Sequence, residues 1–184
     1  MNSFAWRKAA WLLRSGGLIA YPTESVYGLG CDPCNEEALL ELLAVKRRDW
    51  RKGLILVAAE IDQLKPWLAP LSDAQLQKVT ATWPGPHTWL LPVASGVSPL
   101  ICGQHATIAV RVSSHPVIRG ICHAFGGAMI STSANISHKQ PAKSAAEVRM
   151  QFGNQIDYVV AGSLGDLQQP TTIRDATTDA WIRR

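Results

Sequence analysis

Lys46-Arg47-Arg48-Asp49-Trp50-Arg51-Lys52 runs straight into Gly53-Leu54-Ile55-Leu56-Val57, and this junction sets the architecture expected of the chain. Before it, Asn35-Glu36-Glu37 has the form of a helix N-cap followed by acids in the first turn. Leu39, Leu42, Leu43 and Lys46 then keep helical spacing up to the basic run. After it, the apolar residues have the composition of a buried strand. A helix that passes through a short charged connection into a buried strand belongs to a sheet covered by helices. Five of the seven residues 46–52 are cationic and one is acidic. One or two cations suffice to complement a helix C-terminus. Five point to a strongly anionic ligand, either a polyphosphate or a nucleic-acid backbone.

Toward the N-terminus, Trp6, Ala9, Ala10 and Leu13 share one face of a helix over residues 4–15, which Ser15-Gly16-Gly17 ends. Leu18-Ile19-Ala20-Tyr21 reads as a buried strand stopped by Pro22. Hydroxyls at Thr23, Ser25 and Tyr27 follow, with Gly28 and Gly30 close enough together to let the backbone approach a ligand. The third glycine of a dinucleotide fingerprint is missing. Toward the C-terminus, helices are expected over residues 60–68 and 72–82, placing Leu64, Trp67, Leu68, Leu76 and Val79 in the core. Trp83-Pro84-Gly85-Pro86 is a rigid turn, and a strand begins at Thr88.

From Thr107 to Val112 the residues alternate, with Ile108, Val110 and Val112 on one side and Thr107, Ala109 and Arg111 on the other. An arginine inside so apolar a strand needs an anionic partner, either a structural carboxylate or a ligand. A helix from His115 to Phe125 precedes the apolar Ala128-Met129-Ile130, which leads into the donor-rich Ser131-Thr132-Ser133-Ala134-Asn135. A helix from Ser144 to Phe152 and a last core strand at Tyr158-Val159-Val160 come before the hydroxyl-rich Pro170-Thr171-Thr172-Ile173-Arg174-Asp175.

With 184 residues, 47% apolar and 17% charged, the chain suits one globular domain over residues 1–184, without repeat or linker. The elements mix without strict βαβ alternation, so the expected fold is α/β: a twisted open mixed sheet flanked by helices. A net charge of +4 permits nucleic-acid contact without demanding it. No apolar run approaches the roughly 20 residues that span a bilayer. Met-Asn-Ser-Phe-Ala-Trp-Arg-Lys lacks the apolar core of a signal peptide. A cytoplasmic location with no membrane partner is therefore expected. Cys31-Asp32-Pro33-Cys34 is a C-x-x-C, but Cys102 and Cys122 lie too far apart to form a second knuckle, so loop cysteines in a reducing cytosol are the expectation. His87, His105, His115, His123 and His138 are scattered, and no protein metal ligand is assigned.

The polar arrays fall after strands, where ligands of α/β sheets commonly sit at the C-terminal ends. Residues 46–52, Arg111 and Arg174 could converge there with the hydroxyls at 23–27, 131–133 and 171–172. That inventory suits phosphate neutralisation and recognition of an amino or hydroxy acid. No Gly-x-Ser-x-Gly elbow, P-loop lysine motif or zinc-protease pair is present. Catalysis would rest on positioning and electrostatics.

Tyr21-Pro22-Thr23-Glu24-Ser25-Val26-Tyr27-Gly28-Leu29-Gly30 resembles the opening signature of the YrdC/TsaC family of threonylcarbamoyl-AMP synthases. Lys46-Arg47-Arg48 with Lys52-Gly53-Leu54-Ile55 is similar to its basic K-x-R segment. Trp83 to Thr88, Ala109 to Val112, Ser131 to Asn135 and Pro170 to Asp175 match further motifs in the same order. The chain departs from many relatives at Asp49-Trp50 and Lys52-Gly53, and Ser131-Thr132 replaces a common Ala-Pro.

The resemblance implies the short single-domain form, with a concave basic sheet face. It implies a reaction of L-threonine, bicarbonate and ATP to L-threonylcarbamoyladenylate and pyrophosphate. The product feeds N6-threonylcarbamoyladenosine at position 37 of tRNAs reading codons that begin with A. The implied companions are Mg2+ with the ATP, proteins of the TsaD, TsaB and TsaE types, and tRNA or double-stranded RNA; the protein is expected to be a monomer. Lys46, Arg48 and Arg111 would be catalytic. Thr23, Arg111, Ser131 and Thr171 would meet threonine. Lys46, Arg48, Lys52, Thr107, Ser133, Asn135 and Arg174 would hold the nucleotide. The rival expectation is a non-catalytic module binding double-stranded RNA or tRNA.

Overall fold

The computed structural model describes residues 3–183. Its centre is a nine-stranded mixed sheet in the order β7-β1-β2-β6-β3-β5-β4-β8-β9. The strands are β1 (Ile19–Pro22), β2 (Tyr27–Gly30), β3 (Ile55–Ala58), β4 (His87–Pro92), β5 (Thr107–Val112), β6 (Met129–Ser133), β7 (Tyr158–Val159), β8 (Thr172–Asp175) and β9 (Trp181–Arg183). The helices are α1 (Ser3–Arg14), α2 (Glu36–Lys46), α3 (Asp73–Thr80), α4 (Pro99–Cys102), α5 (Pro116–Phe125) and α6 (Ala145–Phe152). The expected mixed sheet flanked by helices is what forms.

Alternation along the strands divides the sheet into two faces. Ala20, Leu29, Leu56, Val110 and Ile130 point to one face, where α2 contributes Leu39 and Leu42 and α6 contributes Val148 and Phe152. Ile19, Tyr21, Val57 and Met129 point to the other, beneath Ala5, Ala9 and Leu13 of α1 and Ile118 and Ile121 of α5. On that second face, the pairings Ser131↔Ile55, Ile55↔Ala109 and Ala109↔Leu90 lay one row of residues across β6, β3, β5 and β4. These four line an open cleft rather than a helix-covered core. The site is therefore the part of a sheet face that α1 and α5 leave bare.

The junction at residues 46–57 folds much as its residues indicate. The Asn35 side chain accepts from the Ala38 amide at 3.0 Å, and Glu36 and Glu37 stand in the first turn of α2. At its other end the helix stops on Arg47, which is left-handed at φ 50 although it is not glycine. Asp49 caps a single 3-10 turn over Trp50–Lys52, and Gly53, at φ 64, turns the chain into β3.

Other expectations change. Residues 61–67 form a 3-10 helix containing Pro66, not an α-helix, and only Leu64 of that stretch is fully buried. Leu76 is 43% exposed, because α3 is two turns long and only Val79 reaches the core. Gly30 serves packing rather than a ligand: a Cβ there would lie 2.5 Å from the Ile130 carbonyl. Residues 172–183 form the β8–β9 hairpin that closes one sheet edge. Its strand character was hidden by hydroxyls and a turn-rich sequence.

Candidate active site

The cleft has a volume of about 550 Å³. Thr23 and Ser25 reach it from the β1–β2 turn, Arg48 and Lys52 from the α2–β3 connection, and Thr107 and Arg111 from β5. Ser131, Thr132, Ser133 and Asn135 line it from β6 and the following loop, Thr171 from just before β8, and Arg183 from β9. The polar arrays do not all sit at strand C-terminal ends. β5 runs parallel to β3 but antiparallel to β4, so the start of β5 at Thr107 lies beside the end of β4 at Pro92. Among the described residues, four cations line the cleft and no Asp or Glu does. A concavity lined by cations concentrates a field that favours anions.

Arg111 is 4% exposed and anchors the floor. Its Nη1 donates to Glu24 Oε2 at 2.8 Å, while Ser113 Oγ donates to Glu24 Oε1 at 2.6 Å. Burial pushes the Glu24 carboxyl up, but the Arg111 charge and the Ser113 hydroxyl outweigh it, and the net pKa lies below the ordinary value. The structural carboxylate left open by the sequence is thus Glu24. Arg111 Nε nevertheless remains buried without a partner. A buried guanidinium N–H costs free energy until an acceptor meets it.

The hydroxyls are held in place by local bonds. Thr23 Oγ1 donates to the Val26 carbonyl at 2.7 Å, leaving its lone pairs as acceptors. Ser133 Oγ donates to Asn135 Oδ1 at 2.6 Å, and Asn135 Nδ2 in turn ties the carbonyls of Ile136 and Lys139. Thr171 Oγ1 lies 3.4 Å from Thr88 Oγ1. Arg48 spends Nε and Nη2 on the Gly53 carbonyl at 3.2 and 2.8 Å, which fixes its guanidinium at the cleft wall.

Two expected site residues lie elsewhere. Lys46 is 3% exposed, is absent from the cleft wall, and donates Nζ to the carbonyls of Ser133 and Asn135. Arg174 sits at the other end of the sheet edge, its guanidinium 5.7 Å from the Trp89 ring and 5.0 Å from the Trp181 ring, beside Asp179. Charge runs in a sequence do not show which way the side chains leave the backbone. Among the lining residues that were missed, His105, Ile182 and Arg183 stand out. Arg183 donates Nη2 and Nε to the Thr171 carbonyl at 2.6 and 2.9 Å. Burial and the neighbouring charge of Arg111 lower its pKa. The cation in Trp181-Ile182-Arg183 was the available signal, but its meaning depends on β9 folding back.

Cys31 and Cys122 are buried, and no cysteine is paired among the described residues. No cluster of three or more His, Cys, Asp or Glu placed to hold a metal occurs among them. No helix is long and apolar enough to cross a membrane among them.

A half-bare mixed sheet whose open face carries cations and hydroxyls, with no Asp or Glu among the described residues of the cleft wall, defines an α/β protein with a site suited to anionic small molecules. The chain belongs to the Sua5/YciO/YrdC family, whose model, described as telomere recombination, matches residues 11–184. It is 52% identical to the threonylcarbamoyl-AMP synthase of Halorhodospira halophila over 98% of this chain and 95% of that one. It is 49% identical to that of Photobacterium profundum, covering 94% of each chain. The fold superposes on P. abyssi Sua5 complexed with L-threonine with a TM-score of 0.89 at 30% identity, covering 95% of this chain and 52% of that one. The chain thus spans about half the length of Sua5. E. coli YciO matches with a TM-score of 0.87 at 26% identity, covering 99% of this chain and 89% of that one.

Proposed function

We infer that the protein is a threonylcarbamoyl-AMP synthase, making L-threonylcarbamoyladenylate and pyrophosphate from L-threonine, bicarbonate and ATP. The observation that carries the reading is the buried, unpartnered Nε of Arg111 on the floor of a cleft whose wall, among the described residues, has four cations and no Asp or Glu. An amino-acid carboxylate would supply the missing acceptor, and a guanidinium fork suits it. Relatives about half identical in sequence bear the same activity as their name.

Threonine lies against Arg111, Thr23, Ser131 and Thr171. The triphosphate lies against Arg48, Lys52 and Arg183, with Thr107, Ser133 and Asn135 holding the rest of the nucleotide. The threonine amine and bicarbonate form a carbamate with loss of water. A carbamate oxygen then attacks the α-phosphorus, and pyrophosphate leaves. No protein nucleophile is needed. Arg48, Lys52 and Arg183 stabilise the charge that develops on the phosphates, and closely held reactants supply the rest of the acceleration. Magnesium arrives as part of the substrate, as Mg-ATP, and the Glu24 carboxylate that pairs with Arg111 at the cleft floor is already taken by Arg111 and Ser113.

In this reading the enzyme works as a monomer in the cytoplasm. It passes its adenylate to a TsaD-type transferase, acting with TsaB- and TsaE-type proteins, for modification of tRNA position 37. The test is pyrophosphate release from Mg-ATP with L-threonine and bicarbonate added separately and together. Release that requires both is expected. No release from folded protein under any combination would overturn the reading in favour of a non-catalytic RNA-binding module.

A further inference from the structure

We propose that Lys46 is a positioning residue, which ties the backbone of the Ser133–Asn135 loop to the end of α2 and does not itself meet the phosphates. The role assigned to the loop rests on the nucleotide reading above; the tie itself does not. Three observations support it. Lys46 is buried and lies off the cleft wall, which its neighbours Arg48 and Lys52 form instead. Its Nζ donates to the carbonyls of Ser133 and, at 2.8 Å, Asn135, the two residues whose side chains face the cleft and bond each other. Its own carbonyl accepts from the Ser137 amide at 2.9 Å, so side chain and backbone of one residue grip the loop at three points.

The rest of the loop is anchored on the other side, by Ala134 N to Tyr27 O at 2.8 Å and Ala142 N to Ala134 O at 2.9 Å. Without Lys46 the loop would lose these ties to the end of α2 and keep those to β2 and Ala142. Burial, with the nearby charge of Arg48, also lowers the Lys46 pKa to about 7. Two of its N–H groups are committed to these backbone carbonyls whatever its charge. A phosphate ligand would be better served by a cation that stays charged. Arg48 and Lys52 meet that need from the wall.

Two measurements on the full chain test the tie. The first acetylates the wild-type protein with an N-hydroxysuccinimide ester and maps modified lysines by mass spectrometry, with and without Mg-ATP. Lys46 should react at least about tenfold more slowly than Lys52 before nucleotide is added. ATP should slow Lys52 and leave Lys46 unchanged. Fast labelling of Lys46 in the free protein, or protection that appears only with ATP, would overturn the proposal. Failure of ATP to protect Lys52 would instead count against the nucleotide reading, while slow labelling of Lys46 would still support the tie.

The second measurement compares Lys46→Gln, neutral but still a donor, with Lys46→Met, neutral and no donor. For a positioning role the KM for ATP should stay within about threefold for Gln and rise about tenfold or more for Met, since one hydrogen bond is worth roughly that factor. Equal loss in both would mean that the charge is what matters, and the residue would return to the phosphates.

Discussion

Arg111 and Glu24 form a pair whose worth depends on both members being present. With side chains 5% and 8% exposed, each would be a lone buried charge without the other. Glu24→Gln keeps the shape and leaves Arg111 uncompensated, so it should destabilise the fold by about 3 kcal/mol in denaturant titration. The pH dependence has a definite sign. The folded-state pKa of Glu24 lies below the ordinary carboxyl value of 4.5. Its contribution is therefore present above pH about 4.5 and is lost as pH falls through the lowered value. Glu24→Gln should flatten that part of the acid limb of the stability curve; an unchanged acid limb would mean that the pair does not set it. Arg111 was legible as an anomaly, because a cation in an apolar strand must have a partner. Glu24 stood within the same opening motif, but eighty-odd residues of separation concealed the match. Thr23, Arg48, Lys52, Thr107, Ser131, Ser133, Asn135 and Thr171 do meet in one cleft.

At the scale of elements, the α2–β3 connection shows how much backbone geometry a basic run conceals. Arg47 takes the left-handed conformation in which glycine ordinarily ends a helix, and its side chain is exposed. Arg47→Gly should thus raise stability by about 1 kcal/mol, seen as a higher denaturant midpoint with an unchanged slope. A fall in the midpoint would mean that the arginine side chain contributes contacts that outweigh the backbone strain. The positive φ also sends Arg48 toward the Gly53 carbonyl and the cleft, while Lys46, two residues back, is directed beneath the loop after β6. Helical spacing placed Lys46 on the same buried face as Leu39, Leu42 and Leu43, and there it lies. Its partners are backbone carbonyls of another element, and no residue pattern announces those. The 3-10 stretch at 61–67 is a similar case, in which Pro66 and a short connection favour the tighter helix.

Across the whole molecule, the cleft is assembled from both ends of the chain, with Thr23 from its beginning and Arg183 from its end. Neither apolar core includes a residue beyond Ala176. Removing residues 181–184 should therefore cost only about 1 kcal/mol, a fall of roughly 2–4 °C in Tm. It should also cut pyrophosphate release at least about tenfold through loss of the Arg183 cation. Wholesale unfolding would show that β9 belongs to the core, and full activity would remove Arg183 from the site. The amino-acid sequence by itself determined the α/β class, the apolar strand that follows the basic run, the helix-to-strand junction and most of the hydroxyls and cations of the site. These follow from spacing and composition, which are properties of neighbours along the chain. Only the tertiary structure decided that Glu24 pairs with Arg111, that Lys46 and Arg174 leave the cleft, and that Arg183 enters it. Those outcomes depend on strand order and register between distant segments, and on which part of a sheet face the helices leave uncovered.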